Sequence, residues 1–158
     1  MENSLKENFL LKAIKLAEEN IINPLGRPFG AIIVRNNVII GQGINLTVIK
    51  PDPTAHAEIE AIRDAAKYLN EKYLDGCDLY TSCEPCPMCL SACYWANIKN
   101  IYYSASSNIA QQYGFSDNYI LEQLRVNNPE RDISMVQLLP DKGFEIFELW
   151  NTKIKRSK

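Results

Sequence analysis

The sequence holds a single histidine, His56, within the run Thr54-Ala55-His56-Ala57-Glu58, and a cysteine cluster within Thr81-Ser82-Cys83-Glu84-Pro85-Cys86-Pro87-Met88-Cys89. Cys86 and Cys89 are three apart where a helix is predicted to open, a spacing that puts both sulfurs on one face. His56 is expected in the first turn of its own helix. Two helix N-termini would then meet, and their exposed N–H groups and positive dipole ends favour thiolate over thiol. One neutral imidazole and two thiolates balance the charge of Zn²⁺ and leave the fourth tetrahedral position to water, as in catalytic sites. A metal so held lowers the pKa of that water to roughly 7. Glu58 lies beside the metal without being needed as a ligand. It can take the water proton and later deliver protons to a ring nitrogen and a leaving amine.

Two other metal sites fit parts of the same pattern. His56 with Cys83, Cys86 and Cys89 would make a closed structural zinc site, but that arrangement gives Glu58 no task. Cys83, Cys86, Cys89 and Cys93 also spell C-x₂-C-x₂-C-x₃-C, an iron–sulfur run. The next residue is Tyr94 rather than Pro, and only Cys77 remains to help build the second cluster that run implies.

The elements that must position these residues can be read from periodicity. Ser4-Leu5-Lys6-Glu7 reads as a capping box. Leu5, Phe9, Ala13, Leu16 and Ala17 recur at helical spacing to about Asn20, and Pro24 and Gly26 are expected to stop the helix. Phe29 to Val34 and Val38 to Ile44 read as a hairpin around Asn36-Asn37. After a loop with two prolines, a helix is expected from near Thr54, with Ile59, Ile62, Ala66 and Leu69 on one face. Cys77 to Ser82 and Ile101 to Ser104 read as strands on either side of a helix over Pro87 to Ala96, with Pro in its first turn. Residues 105–132 hold loop and helix. Ser134 to Leu139 is predicted as a fifth strand and Phe144 to Ile154 as a terminal helix. Alternating strands and helices predict an α/β sheet covered on both faces.

Composition narrows the function classes. The 158 residues suit one domain, with 46% hydrophobic and 23% charged residues and a formal net charge of −2. That balance predicts neither a nucleic-acid coat nor an acidic tail. The basic ending Lys153, Lys155, Arg156, Lys158 reads as a solvated tail. No stretch approaches the ~20 apolar residues of a membrane span. The opening MENSLKENF does not read as a secretory signal, which predicts a cytoplasmic protein. Five cysteines, an odd number, point to metal or catalysis more than to disulfides.

H-x-E followed by P-C-x-x-C is the signature of zinc deaminases that act on nucleobases, and at these residues the chain resembles the cytidine deaminase superfamily. More narrowly it looks like the small bacterial guanine deaminases. The likeness runs from Pro28-Phe29-Gly30 and Asn45 through Asp52 to Glu58, then Leu79 to Cys89, Tyr94-Trp95-Ala96, and Gly114-Phe115-Ser116-Asp117. The resemblance implies one zinc per subunit on His56, Cys86 and Cys89, with Glu58 as proton shuttle. It implies base contacts from Asn45, ring packing from Phe29 and Trp95, and Asp117 addressing the amino group being lost. It also implies a homodimer whose C-terminal segment, about 141–158, crosses over to close the partner's site. Ser116 stands where that branch carries an acid, and the chain ends Lys155-Arg156-Ser157-Lys158 where the branch often carries a tyrosine. Other roles exist for these residues. Phe29 and Trp95 fit plain core, Asn45 a bond to its own loop, and Asp117 a helix cap. Cys77, Cys83 and Cys93 read as packing residues.

The expectation is therefore one domain over 1–158, a three-layer α/β/α cytidine-deaminase-like sandwich with a five-stranded mixed sheet. The expected reaction is hydrolytic deamination of guanine to xanthine and ammonia, with attack at C2, protonation of N3 by Glu58, and Glu58 assisting the departure of ammonia. The alternatives are deamination of the tRNA wobble adenosine, of guanosine, cytosine or an aminotriazine, and, from another class, a catalytically silent structural zinc module. A tRNA substrate calls for a basic surface, and the basic residues cluster only at the tail.

Overall fold

The computed structural model describes residues 2–23 and 26–155. The expected stop at Pro24 and the basic ending from Arg156 to Lys158 lie outside the described residues. The chain divides into two compact units, residues 1–121 and 122–158.

Helix α1 (Glu2–Ile22) opens before Ser4, so the Ser4–Glu7 run lies inside the helix instead of capping it. Its buried Phe9, Ala13, Ala17 and Asn20 follow the helical repeat. Strand β1 (Gly30–Arg35) is buried on both faces because its side chains alternate between two cores. Ile32 and Val34 join Phe9, Ala13 and Tyr80 under α1. Ala31 and Ile33 join Ala57, Ala61, Ala65, Leu79 and Cys93 on the other side. That continuous apolar strand is what a central position demands.

Strand β2 (Val38–Ile44) returns antiparallel through a two-residue turn in which Asn36 and Asn37 have φ of 51° and 63°. Asparagine tolerates this left-handed pair, which matches the twist of a hairpin. Helix α2 (Ala57–Leu69) lies directly on β2. Gly41 and Gly43 allow this approach. A Cβ on Gly41 would stand 2.6 Å from Ala65 N, and one on Gly43 2.5 Å from Ala61 N. Strand β3 (Asp78–Cys83), helix α3 (Pro87–Trp95) and strand β4 (Asn100–Ala105) form the parallel crossover. The sheet order is β2-β1-β3-β4, with β1 antiparallel to both neighbours. Helices on both faces make this a three-layer α/β/α sandwich with a mixed sheet. The first unit also holds α4 (Ser107–Gln112), followed by α5 (Asn118–Arg125).

The expected fifth strand is corrected. Among the described residues the sheet has four strands, and Ser134 to Leu139 carries no ladder. Strand-like composition alone does not make a strand, because its backbone groups need a partner to pair with. In the second unit, Arg131 Nε donates to the carbonyls of Gln123 (3.1 Å) and Val126 (3.3 Å), closing the turn around Asn128–Glu130. Helix α6 (Pro140–Lys155) starts earlier than the expected Phe144.

Candidate active site

The loop before α2 is fixed from within. Asp52 Oδ1 accepts hydrogen bonds from Thr54 N (2.8 Å) and Thr54 Oγ1 (2.6 Å), and these donors hold its carboxyl below the usual range. Arg63 and Lys50 converge on Glu60, each at 2.7 Å, which ties the loop to the helix. His56 is therefore delivered in an extended conformation as the N-cap of α2, not within its first turn as expected. Its carbonyl accepts from Glu60 N at 3.0 Å, the ordinary duty of a cap. Its side chain makes no cap bond and turns away from the helix. Cys86 repeats the arrangement at the N-cap of α3, again with no side-chain cap bond, and Pro87 follows at the helix start. Cys89 lies in the first turn and is fully buried.

These placements bring three donors together. His56 Nδ1 is 3.6 Å from Cys86 Sγ and 3.5 Å from Cys89 Sγ, and all three donor atoms lie within 4.8 Å of one another. Zinc bonds of ~2.0–2.1 Å to nitrogen and ~2.3 Å to sulfur, meeting at the tetrahedral angle, separate N and S by about 3.5 Å. The residues fit zinc.

Cys86 is held as a thiolate, its pKa lowered to about 4 by the Cys89 thiol and by His56. Cys89 is raised in turn, first by Cys86 and then by burial. His56 is raised, chiefly by its contact with Cys86. Glu58, 6% exposed, has an Oε2 3.5 Å from Cys89 Sγ. Burial pushes its carboxyl above the usual range, and the Cys86 charge adds to that. A carboxyl raised in this way holds a proton more readily than an exposed one, which suits a group that must both take and give protons.

Cys83 is also buried, and burial pushes its thiol up to about 11. Cys93, inside α3, reaches about 12 for the same reason. Neither joins the donor cluster. The four-cysteine iron–sulfur run and the closed site with Cys83 therefore lack the geometry they need.

The cavity over these groups has a volume of about 330 Å³. Phe29, Asn45 and Asp117 line it. Phe29 meets Phe115 edge-on with centroids 5.1 Å apart. Asn45, 1% exposed, does bond its own loop, since its Oδ1 accepts from Thr47 N (3.2 Å) and Thr47 Oγ1 (2.8 Å). That leaves its Nδ2 for the cavity. Asp117 immediately precedes α5.

Trp95 is not brought to the cavity. It is the last residue of α3, 81% exposed. It follows the buried Cys93 by two positions, about 200° around the helix, and so faces away from the core.

Sequence reasoning missed Arg27, Glu84 and Phe115, which also line the cavity. Glu84 Oε2 accepts from Ser107 N at 2.9 Å and so anchors the loop after β4. Its place between Cys83 and Pro85-Cys86 was the available signal.

Comparison with known proteins agrees with this geometry. Residues 3–105 match the cytidine and deoxycytidylate deaminase zinc-binding region. A guanine deaminase from Bacillus subtilis is 44% identical over 144 residues, 91% of this chain and 92% of that protein. The X-ray structure of guanine deaminase from Bacillus subtilis superposes with a TM-score of 0.90 at 44% identity, covering 92% of this chain and 93% of the other. A tRNA-specific adenosine deaminase from Buchnera aphidicola is 39% identical over 70% of this chain and 65% of its own length. The fold and the His/Cys/Cys/Glu constellation define a zinc-dependent deaminase. The chain belongs to the cytidine and deoxycytidylate deaminase family.

Proposed function

We propose that the chain hydrolyses free guanine to xanthine and ammonia. The observation that carries this reading is the buried Glu58 on the floor of a cavity of about 330 Å³, beside the three metal donors and walled by Phe29, Phe115 and Ile120. That volume lies at the small end of ligand sites, ~300–1,000 Å³, and suits a free base. The similarity to guanine deaminase over nine-tenths of the chain supports the choice of base.

His56, Cys86 and Cys89 would hold the zinc. Bound there, the metal lowers the pKa of water so that a nucleophile is available at neutral pH. Glu58 takes a proton from the attacking water and passes it to N3 as the C2–O bond forms. It then carries the proton of the new C2 hydroxyl to the departing amine as the C2–N bond breaks and the C2 carbonyl forms. One water is consumed and one ammonia released. Phe29 and Phe115, in edge contact with each other, offer the ring one apolar wall, Asn45 Nδ2 donates to an acceptor on the base, and Asp117 accepts from the amino group.

We further propose that the working enzyme is a cytoplasmic homodimer in which the segment from about 141 onward closes the partner's site. In the second unit Leu139, Phe144, Phe147 and Trp150 are all largely exposed. A cluster of that kind marks an interaction surface. All five cysteines are free, as a reducing compartment requires. Among the described residues no helix is long and apolar enough to cross a membrane.

The reading is tested by ammonia release from zinc-replete protein on guanine, guanosine, cytosine, adenine and tRNA side by side. Guanine is expected to dominate. Faster release from tRNA adenosine would replace this reading with the tRNA one.

A further inference from the structure

Arg27 lines the cavity without a part in the chemistry above. Arg27 stands where the main cavity meets a second groove lined by Thr47, Lys50 and Asp52, and His56 borders both. Its backbone is clamped. Asn20 Nδ2 donates to Arg27 O (2.8 Å) and to Asn45 O (3.0 Å), and Phe29 N donates to Arg27 O (2.8 Å). Asn20 is itself 1% exposed, so the clamp is built from the core. The guanidinium lies over the Phe115 ring, 5.9 Å from its centroid, and Phe115 is the ring that meets Phe29 edge-on in the cavity wall. One buried asparagine therefore sets the positions of Arg27 and Asn45 together.

We infer that Arg27 is a specificity-determining residue that reads the O6/N7 edge of the purine. The inference rests on the guanine reading. In guanine, C2 lies directly across the six-membered ring from C5, so the edge bearing O6 and N7 points away from C2. When C2 faces Glu58 on the cavity floor, that edge points to the mouth, where Arg27 stands. A guanidinium fork matches two adjacent acceptors, and Arg paired with O6 and N7 is the commonest specific contact made to guanine. Stacking on Phe115 keeps the fork in plane and leaves its donors for the ligand. Adenine carries an amino group in place of O6, so it presents a donor where the fork needs an acceptor.

The test compares wild type, Arg27→Met and Arg27→Lys, all zinc-replete and matched in melting temperature. Each is assayed on guanine and on 7-deazaguanine, in which a CH replaces N7. A bidentate pair of this kind is worth about 5- to 150-fold in discrimination. Wild type is expected to prefer guanine within that range. Arg27→Met is expected to erase the preference, mainly through KM, and Arg27→Lys, which keeps the charge but not the fork, to fall between. The same ratio is then read as equilibrium binding in a Glu58→Gln background. Equal preference for guanine in wild type and Arg27→Met would overturn the role of Arg27 while leaving the guanine reading intact. A wild type that releases no ammonia from guanine would overturn both.

Discussion

His56 and Cys86 occupy the same position on two different helices: each is the N-cap residue, each withholds its side chain from its own helix, and their Nδ1 and Sγ atoms are 3.6 Å apart. Cap positions ordinarily go to Ser, Thr, Asp or Asn, whose side chains satisfy the first free N–H groups. Here that local stabilisation, typically about 1 kcal/mol per cap, is given up for a metal donor. The positive helix ends then face the thiolate. Two requirements on the site follow from this pairing, a three-donor limit and a close α2–β2 contact.

Cys86→Ser and Cys89→Ser are expected to lose zinc, whereas Cys83→Ser is expected to keep it. A catalytic site needs three protein donors, and Cys83 stands outside the cluster with its thiol pushed up to about 11. Metal content by atomic emission after dialysis separates the variants. Equal zinc loss from Cys83→Ser and Cys86→Ser would restore the closed structural site.

Gly43→Ala is expected to destabilise the protein by about 1–3 kcal/mol, the usual cost of overpacking. The new methyl would stand 2.5 Å from Ala61 N, so α2 must move off the sheet, and α2 carries Glu58. Turnover should fall with stability. Denaturant melts and kcat measured on one preparation check both. An unchanged melt would mean that the helix has slack the geometry does not show.

Asn45→Asp is expected to raise KM by about tenfold with little effect on folding, while Asn45→Ala lowers stability as well. The aspartate retains an acceptor for Thr47 N and Thr47 Oγ1 but has no amide donor for the base. Steady-state kinetics and melting curves on the two variants distinguish base contact from loop support. If Asn45→Asp binds guanine like wild type, Asn45 serves only its loop.

Removal of residues 151–158 is expected to cut base deamination severely and leave zinc bound. A free base offers no sugar or phosphate to grip, so it is held by enclosure, and enclosure also excludes water. Activity, zinc content and oligomeric state of the truncated protein are read together. A truncated dimer with full zinc and full activity would remove the C-terminal segment from the closure of the site.

The metal donors were legible in the sequence because their spacing is local. H-x-E and C-x-x-C each fall on one helix start, and only the pairing of the two starts is tertiary. Residues 38–44 were also legible, since Asn36-Asn37 fixes the hairpin turn. The start of α2 moved from near Thr54 to Ala57, because Asp52 and Thr54 hold the loop until His56, a bond pattern that Pro53 masks in the sequence. Trp95 stands outside this chain's cavity lining because a motif gives neighbours along the chain, whereas the inward phase of α3 is set by Cys89 and Cys93. Ser134 to Leu139 has the composition of a strand but no pairing partner among the described residues. Arg27, Glu84 and Phe115 were missed because they come from separate loops that only the fold brings to one cavity.

The central claim is that Glu58 moves the protons of a purine deamination, and it is tested most directly by Glu58→Gln. Wild type and variant, both loaded with one zinc per chain, are given guanine while xanthine and ammonia are measured together. Wild type is expected to release the two in equal amounts. The variant, similar in shape but unable to carry a proton, is expected to keep its zinc and fold and to lose at least ~10²–10⁴-fold in turnover. Near-normal xanthine formation by zinc-replete Glu58→Gln would contradict the account.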